Sequence, residues 1–497
     1  MVGAGPGDAG LLTLKGKEAL QSAEAVVYDW LVNPKLLELA PAPEKIFVGK
    51  KGGTYYREQG EINRILLRLA KKGKLVVRLK GGDPFIFGRG GEEADFLARK
   101  KIDFEVIPGV SAGIGVPAYA GIPLTDRRFA SHVTFVTGHE DPTKKSAEVD
   151  WRKLGALGGT LVSFMGVKNL QRIVRALRDS GKSPQTPVAV VEWGTLPSQR
   201  VVVGTLKDIV RKCKQARLES PALTIVGEVV KLRQRLDWFQ KKPLQGKKIV
   251  VTRARAQASD LVRSLSEKGA EVLEFPTIEI LPPSRSDEID REIRRLSDYD
   301  WVIFTSVNGV RFFFGRVRFL GKDSRIFAST RIAAIGEKTA EALQEKGLRA
   351  DLVPDDFTSR ALFESLRAKN LVRGKKFLLG RADIAPPDLC ESLKKEGADV
   401  VEIEVYRTHP QFDKQKLFEW LGKQGVDFVT FTSSSTVRNF FEPIPPSMRK
   451  KLRTRFVTIG PVTSRTLREY GFRPFKEAKV HTIEGLVETL SNGGQEK

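Results

Sequence analysis

The sequence predicts an α/β protein of more than one domain, and three observations lead there. The chain has 497 residues, too many for one ordinary hydrophobic core. Short apolar runs alternate with helix-period segments, the pattern of strands connected by helices. The second half carries an internal repeat, which implies two similar α/β lobes. With 41% hydrophobic and 29% charged residues, the composition is that of a globular chain able to build such cores.

In the first half, strand-like runs fall at 75–79, 104–107, 132–137, 159–164, 187–191 and 222–226, and helical patterns at 59–72 and 91–100. The stretch "LDWFQKKPLQGKK" at 236–248 combines a basic run, a proline and a glycine ahead of a fresh apolar strand, "IVV". It marks a boundary between 1–240 and 249–490, with 241–248 as linker. Subdomains are expected at about 1–120 and 121–240.

In the second half, "GKKIVVTRARAQASDLVRSLSEKGAEVLEFPTIEI" at 246 returns as "GKKFLLGRADIAPPDLCESLKKEGADVVEIEVYRT" at 374. "DWVIFTSVNGVRFFF" at 300 returns as "DFVTFTSSSTVRNFF" at 427, and "RIAAIGEKTAEALQEKGL" at 331 as "RFVTIGPVTSRTLREYGF" at 455. The lobes are expected at 249–280 plus 406–490, and at 281–405.

The formal net charge is +24. Residues 1–240 hold 38 basic and 25 acidic side chains, and residues 241–497 hold 46 and 35. A nucleic-acid arm would concentrate the excess; here it is spread over both halves, which suits anionic small molecules. Two distant cysteines, Cys213 and Cys390, argue against a disulfide framework or metal cluster and fit a reducing cytoplasm. No basic-then-apolar leader opens the chain, so no secretory signal is expected. The uncharged run 106–125 holds three prolines and four glycines and reads as loops, not a membrane span.

Two glycine-rich stretches carry chemistry. "VGAGPGD" at 2–8 begins like a dinucleotide fingerprint, but Asp8 stands where its third glycine belongs and Pro6 removes a backbone donor. "VVRLKGGDPFIFGRGGEEA" at 76–94 is a strand followed by a loop in which Gly81 and Gly82 permit close approach and Asp83 supplies a carboxylate. Glu92 and Glu93 suit the start of the next helix.

With "PGVSAG" at 108, "GIPLTDR" at 121, "VTGHE" at 136, "FMG" at 164, "VEWGT" at 191 and "SPALTIVGEVV" at 220, these motifs resemble the uroporphyrinogen-III C-methyltransferases of the tetrapyrrole methylase family. The resemblance implies a two-domain tetrapyrrole methylase fold and S-adenosyl-L-methionine as cofactor. Its contacts would involve Pro6, Gly81, Gly82, Asp83, Ile86, Ser111, Ala112, Met165, Gly194 and Ala222. It implies Asp29 as proton acceptor and Lys50, with Lys51 adjacent, as proton donor. On residues alone, Asp29 reads as a helix cap after a strand at 25–28, and Met165 reads as well as a core methionine. Arg89, Lys50, Arg127 and Arg128 are candidates for substrate carboxylates. The chain departs from the family in its short first strand, which implies either an upstream start or a truncated element. It also has Asp126 where a histidine is common, so Asp126 is assigned no catalytic role.

The second half resembles uroporphyrinogen-III synthase through the lobe duplication, the two "FTS" strand ends, the "IG…T…L…G" units and "VYRT" at 405. That implies substrate contacts from Thr305, Ser306, Asn308, Thr432, Ser433 and Ser434, and a catalytic Tyr406. Helix capping and hinge packing are the alternatives for these residues. The joint resemblance implies a bifunctional cytoplasmic enzyme acting on hydroxymethylbilane and uroporphyrinogen III. It leaves open a homodimer through the methylase half and expects no nucleic acid, membrane or metal. A methylase-fold enzyme acting on ribosomal RNA and a binding-only role for the C-terminal lobes are the alternative functions.

Overall fold

A computed structural model describes residues 1–49, 58–138, 149–253, 255–383, 385–410, 414–421, 425–449 and 452–492. The chain divides into two compact units. One comprises Met1–Lys247 with Leu265–Glu271 and the C-terminal tail; the other comprises Lys248–Ser264 and Val272–Leu490.

The first unit holds two sheets. Strands β1 (Val2–Gly3), β2 (Ala25–Tyr28), β3 (Glu44–Phe47) and β4 (Val76–Lys80) form an all-parallel sheet in the order β1-β4-β2-β3. Its alternation sorts side chains to opposite faces. Val26 packs with Val77, Leu79, Leu20 and Leu36, while Ala25 and Val27 pack on Ile62, Ile65, Leu66 and Leu69 of the helix Gln59–Lys71. Strands β5 (Val133–Thr137), β6 (Thr160–Phe164), β7 (Pro187–Glu192), β8 (Arg200–Thr205) and β9 (Ala222–Val226) form a second sheet, β5-β6-β9-β7-β8. Only β5 and β6 run parallel there; β9 lies antiparallel to β6 and to β7, and β7 to β8. Every residue of β7 is buried, with Val188 and Val190 on one face and Ala189 and Val191 on the other.

The second unit also holds two sheets, and the chain visits them in an exchanged order. It runs through β10 (Lys248–Val251) and β11 (Glu271–Glu274), then crosses to β12 (Ile278–Leu281), β13 (Trp301–Phe304), β14 (Arg331–Ala334), β15 (Lys376–Ala382) and β16 (Asp399–Pro410). It returns to finish with β17 (Phe428–Phe431), β18 (Arg455–Thr458) and β19 (Lys476–Glu477). The sheet orders are β11-β10-β17-β18-β19 and β12-β16-β15-β13-β14. The two crossing strands, β12 and β16, pair antiparallel with Leu281 opposite Arg407; the remaining pairs of that sheet are parallel.

The sequence repeat maps onto these sheets crosswise. The first copy supplies β10 and β11 to one sheet and β13 and β14 to the other; the second supplies β15 and β16, then β17 and β18. Two equivalent aspartates fasten the exchange. Asp427 Oδ2 accepts from Lys248 N at 2.8 Å, and Asp300 Oδ2 accepts from Lys376 N at 2.9 Å. Each bond joins one repeat to the other.

Candidate functional site

In the first unit three backbone turns meet, and glycine is what lets them. The turn after β1 and the turn after β4 form a bridge in which Gly82 N donates to Gly5 O at 2.7 Å and Gly5 N to Gly82 O at 3.2 Å. A Cβ on Gly109 would lie 2.3 Å from Gly82 O and 2.7 Å from Gly3 Cα. Those obstacles are backbone and cannot swing away. Asp83 braces the same junction: Oδ1 accepts from Phe85 N at 2.8 Å and Oδ2 from Gly109 N at 3.0 Å. Ser111 caps the helix Ala112–Tyr119. That helix meets both subdomains, because a Cβ on its Gly115 would touch Pro6 at 2.8 Å and a Cβ on Gly194 would sit 2.5 Å from both Val116 methyls.

Pro6, Gly81, Gly82, Asp83, Ser111, Ala112 and Gly194 are thus brought together around one junction and one helix. Ala222 opens β9 opposite Glu192, and the neighbouring Pro221 O accepts from Trp193 N at 3.1 Å. Ile86 and Met165 are exposed, as are Trp30, Leu31, Phe85 and Phe87. Phe87 lies 4.8 Å from Phe164, and Trp30 5.3 Å from Trp193. Large apolar side chains are thus held open to solvent on ordered turns, the kind of surface on which ligands are bound. Backbone strain gathers here too: Phe87, Arg89, Met165, Trp193 and Thr195 all have positive φ. Thr195 is fixed by Asp8 N, which donates to its Oγ1 at 2.9 Å, and by its own N–H on Gln199 at 2.9 Å.

Asp29 follows β2. The cap of the short helix Pro34–Leu39 is Asn33, so Asp29 is not that cap. Its Oδ2 accepts from Arg78 at 3.3 Å, while its buried Oδ1 has no hydrogen-bond partner among the described residues. Arg78 and Lys80 are both buried and both pair with the fully buried Glu93, at 3.2 and 2.8 Å. Burial pushes the Glu93 carboxyl up, but Arg78 and Lys80 outweigh it and hold it below the usual carboxylate value. Burial lowers the Lys80 ammonium. The apolar strand expected at 75–79 and the helix-start reading of Glu93 do not reveal this cluster. The available signal was two cations at spacing two, hence on one face of a strand, followed by an acidic helix.

Lys50 lies outside the described residues. Arg89 pairs with Glu92 at 2.6 Å and Arg128 with Asp126 at 2.9 Å; Arg127 is exposed. The Arg128 hydrogen bond holds Asp126 down to about 2. A separate open groove of about 1050 Å³ is lined by Arg175, Arg178, Lys182, Lys207, Arg211 and Lys214. None of the predicted site residues borders it.

In the second unit β13 and β17 end in equivalent ways. Thr305 and Ser306 follow β13, and Ser306 caps the helix Val307–Phe319, which contains the buried Asn308. Thr432 and Ser433 follow β17, and Ser433 forms a capping box with Thr436 at the head of the helix Ser434–Phe441. The Ser434 hydroxyl accepts from Thr466 at 2.9 Å. Tyr406, on β16, brings its hydroxyl 3.1 Å from Ser306 Oγ and stacks on Phe312 with ring centroids 6.1 Å apart. Burial raises its hydroxyl pKa. Tyr406 and Ser306 are therefore joined; Thr432, Ser433 and Ser434 sit at the end of the other sheet.

Fold and site together define a tandem of two α/β enzyme units, the first built around a glycine-lined junction and the second from two repeat copies that share their sheets. The family of tetrapyrrole (corrin/porphyrin) methylases matches residues 1–210, and the family of uroporphyrinogen-III synthase HemD matches residues 259–488. The chain is 37% identical over 492 residues to the porphyrin biosynthesis protein HemD of Ruminiclostridium josui, covering 99% of this chain and 97% of the other. It is 54% identical over 233 residues to the S-adenosyl-L-methionine-dependent uroporphyrinogen III methyltransferase of Methanosarcina barkeri, covering 47% and 91%. The crystal structure of uroporphyrin-III C-methyl transferase from Thermus thermophilus with S-adenyl homocysteine covers 46% of this chain and 97% of its own, at 41% identity and a TM-score of 0.40. The chain belongs to the family that joins a tetrapyrrole methylase to a uroporphyrinogen-III synthase.

Proposed function

We propose that the second unit cyclises hydroxymethylbilane to uroporphyrinogen III with inversion of the last ring. The first unit then methylates that product at C-2 and C-7, through precorrin-1 to precorrin-2. The observation that carries this reading is the end-to-end relationship over 99% of the chain, with one family in each unit.

The glycine junction fits S-adenosyl-L-methionine. A Cβ at Gly3 or Gly109 would strike the backbone of the neighbouring turn, and one at Gly81 the Leu31 side chain, so glycine is what holds these turns close enough to line a ligand together. The apolar Ile86 and Met165 suit an adenosyl group better than a pyrophosphate, which would call for free backbone donors. S-Adenosyl-L-methionine supplies a methyl group on a sulfonium that is already a good leaving group. The protein's part is orientation. Pro6, Gly81, Gly82, Asp83, Ile86, Ser111, Ala112, Met165, Gly194 and Ala222 border the cofactor, and Asp29 accepts a proton as the methylated ring rearranges. Lys50 is the proton donor in this reading. Tyr406 assists loss of the bilane hydroxyl, and Thr305, Ser306, Asn308, Thr432, Ser433 and Ser434 hold substrate.

Among the described residues no helix is long and apolar enough to cross a membrane. A cytoplasmic location, the boundary at 241–248 and a homodimer through the methylase half belong to the same reading. The charge of +24 serves polycarboxylate substrates, not nucleic acid. Purified chain given hydroxymethylbilane alone should yield uroporphyrinogen III, and with S-adenosyl-L-methionine precorrin-2. The symmetrical type I isomer alone, or unmethylated product with cofactor present, would overturn the corresponding half.

A further inference from the structure

Arg78 is a buried arginine at the inner end of the candidate site. Its side chain is nine-tenths or more buried. All five of its donor hydrogens have acceptors: Nε donates to Glu93, one terminal nitrogen to Val27 O and Leu79 O, and the other to Asp29 Oδ2 and Glu93 Oε1. Glu93 is held in turn by Lys80 at 2.8 Å and by Gln59 at 3.1 Å. Buried ion clusters are weak devices for stability, because desolvation offsets most of the attraction. A planar fork held on four sides is instead a good device for fixing one orientation. The group it touches at the site is Asp29. There it engages one carboxylate oxygen and leaves the other, buried, without a partner among the described residues. An unmade bond on a buried carboxylate is costly unless something else completes it.

We infer that Arg78 is a positioning residue for methyl transfer, clamping Asp29 through Oδ2 so that Oδ1 is the oxygen presented to the substrate, with Glu93 and Lys80 holding the clamp. The inference rests on Asp29 being the proton acceptor. Arg78 touches neither substrate nor cofactor in this role. It acts through one carboxylate, which makes its effect conditional on that carboxylate.

The test is a double-mutant cycle in the full chain, reading kcat and KM for supplied uroporphyrinogen III and cofactor affinity by calorimetry. Arg78→Lys keeps the charge but loses the fork. Expected is a fall in kcat of about 10- to 100-fold with KM and cofactor affinity within about 3-fold. In the Asp29→Asn background the same substitution should change kcat by less than about 2-fold. An equal fall in both backgrounds means a structural role only and overturns the inference. So does an unchanged kcat for Arg78→Lys when Asp29→Asn is impaired. Wild-type turnover in Asp29→Asn overturns the proton-acceptor reading itself and the inference with it. If Arg78→Lys loses its folding transition, the cycle is run with the near-isosteric Glu93→Gln, which removes the carboxylate that holds Arg78 and Lys80 without altering Asp29 or Arg78. The same conditional pattern is expected, and its absence overturns the inference.

Discussion

Asp83 and Asp29 are both predicted site carboxylates, yet their surroundings differ in kind. Asp83 accepts backbone hydrogen bonds on both oxygens and ties the turn after β4 to Gly109. Asp83→Ala should therefore loosen the junction, lowering stability by about 1–3 kcal/mol and weakening cofactor affinity. Asp29→Asn should keep the cofactor and lower kcat by about 100-fold. Calorimetry and turnover separate the two, and equal loss of cofactor in both variants removes the proton-acceptor role from Asp29. In the second unit Ser306 already accepts from Gly309 N, so its helix cap survives loss of the Tyr406 hydroxyl. Tyr406→Phe should then cost little stability, about 0.5–1.5 kcal/mol. It should still depress type III product more than alanine at Thr305, Ser306, Thr432 or Ser433. Isomer analysis by chromatography reads this directly, and a single serine or threonine that abolishes type III product in a folded protein would point to a discrete acid instead. Sequence carried both meanings of Ser306 and Ser433, as ligands and as caps, because the same hydroxyl at a strand end serves either.

The elements around the junction were legible where glycine had to be glycine. "GGDP" and "PGVS" announce close approach, and the structure puts Gly3, Gly82 and Gly109 backbone against backbone. Gly109→Ala should abolish cofactor binding while leaving synthase activity. Gly60→Ala is the matched control: it lies in a helix with nothing within 4 Å of a new Cβ, and it should stabilise by about 0.5–1 kcal/mol. Thermal melts with and without cofactor distinguish the pair. The positive φ of Trp193 and Thr195 was not legible, since neither residue prefers that conformation and tertiary contacts impose it. Nor was strand direction in β7 and β9, which the apolar runs leave open, or β8, which falls outside those runs. The helix Gly90–Arg99 docks through Glu93, whose carboxyl is held below its ordinary value of 4.5. A depressed carboxyl contributes stability that is complete above its unfolded value and lost as pH falls through the folded one. Glu93→Gln should therefore flatten the acid limb of the melting-temperature profile measured from neutrality down to about pH 3. An unchanged acid limb would mean that Glu93 is not what acid titrates there.

At the scale of the molecule, the repeat was the plainest feature of the sequence, yet its copies are not the lobes. The expected lobes, 249–280 plus 406–490 and 281–405, both draw on the two copies, 246–373 and 374–490, and in the sheets β10 has β17 on its flank and β13 has β15. Asp427 reaches back to Lys248 and Asp300 forward to Lys376, so each copy closes the other's sheet. Long-range pairing of this kind leaves no short segment with a core of its own. The end of the first unit, by contrast, is tied down locally: Leu244 is fully buried, and Gln245 donates to Pro197 O at 2.7 Å. Two cuts should behave differently. A fragment of residues 1–247 should be soluble, bind S-adenosyl-L-methionine and methylate supplied uroporphyrinogen III, and one ending at 240 should be less stable because it lacks Leu244 and Gln245. Fragments 248–373 and 374–490 should each lack a cooperative transition, yet regain one and some type III synthase activity when mixed, since each supplies the strands the other needs. Calorimetry of the single and mixed fragments decides it. A cooperative transition in either fragment alone would mean that a repeat closes a sheet by itself, and the exchanged order of strands would then not be what stabilises the unit.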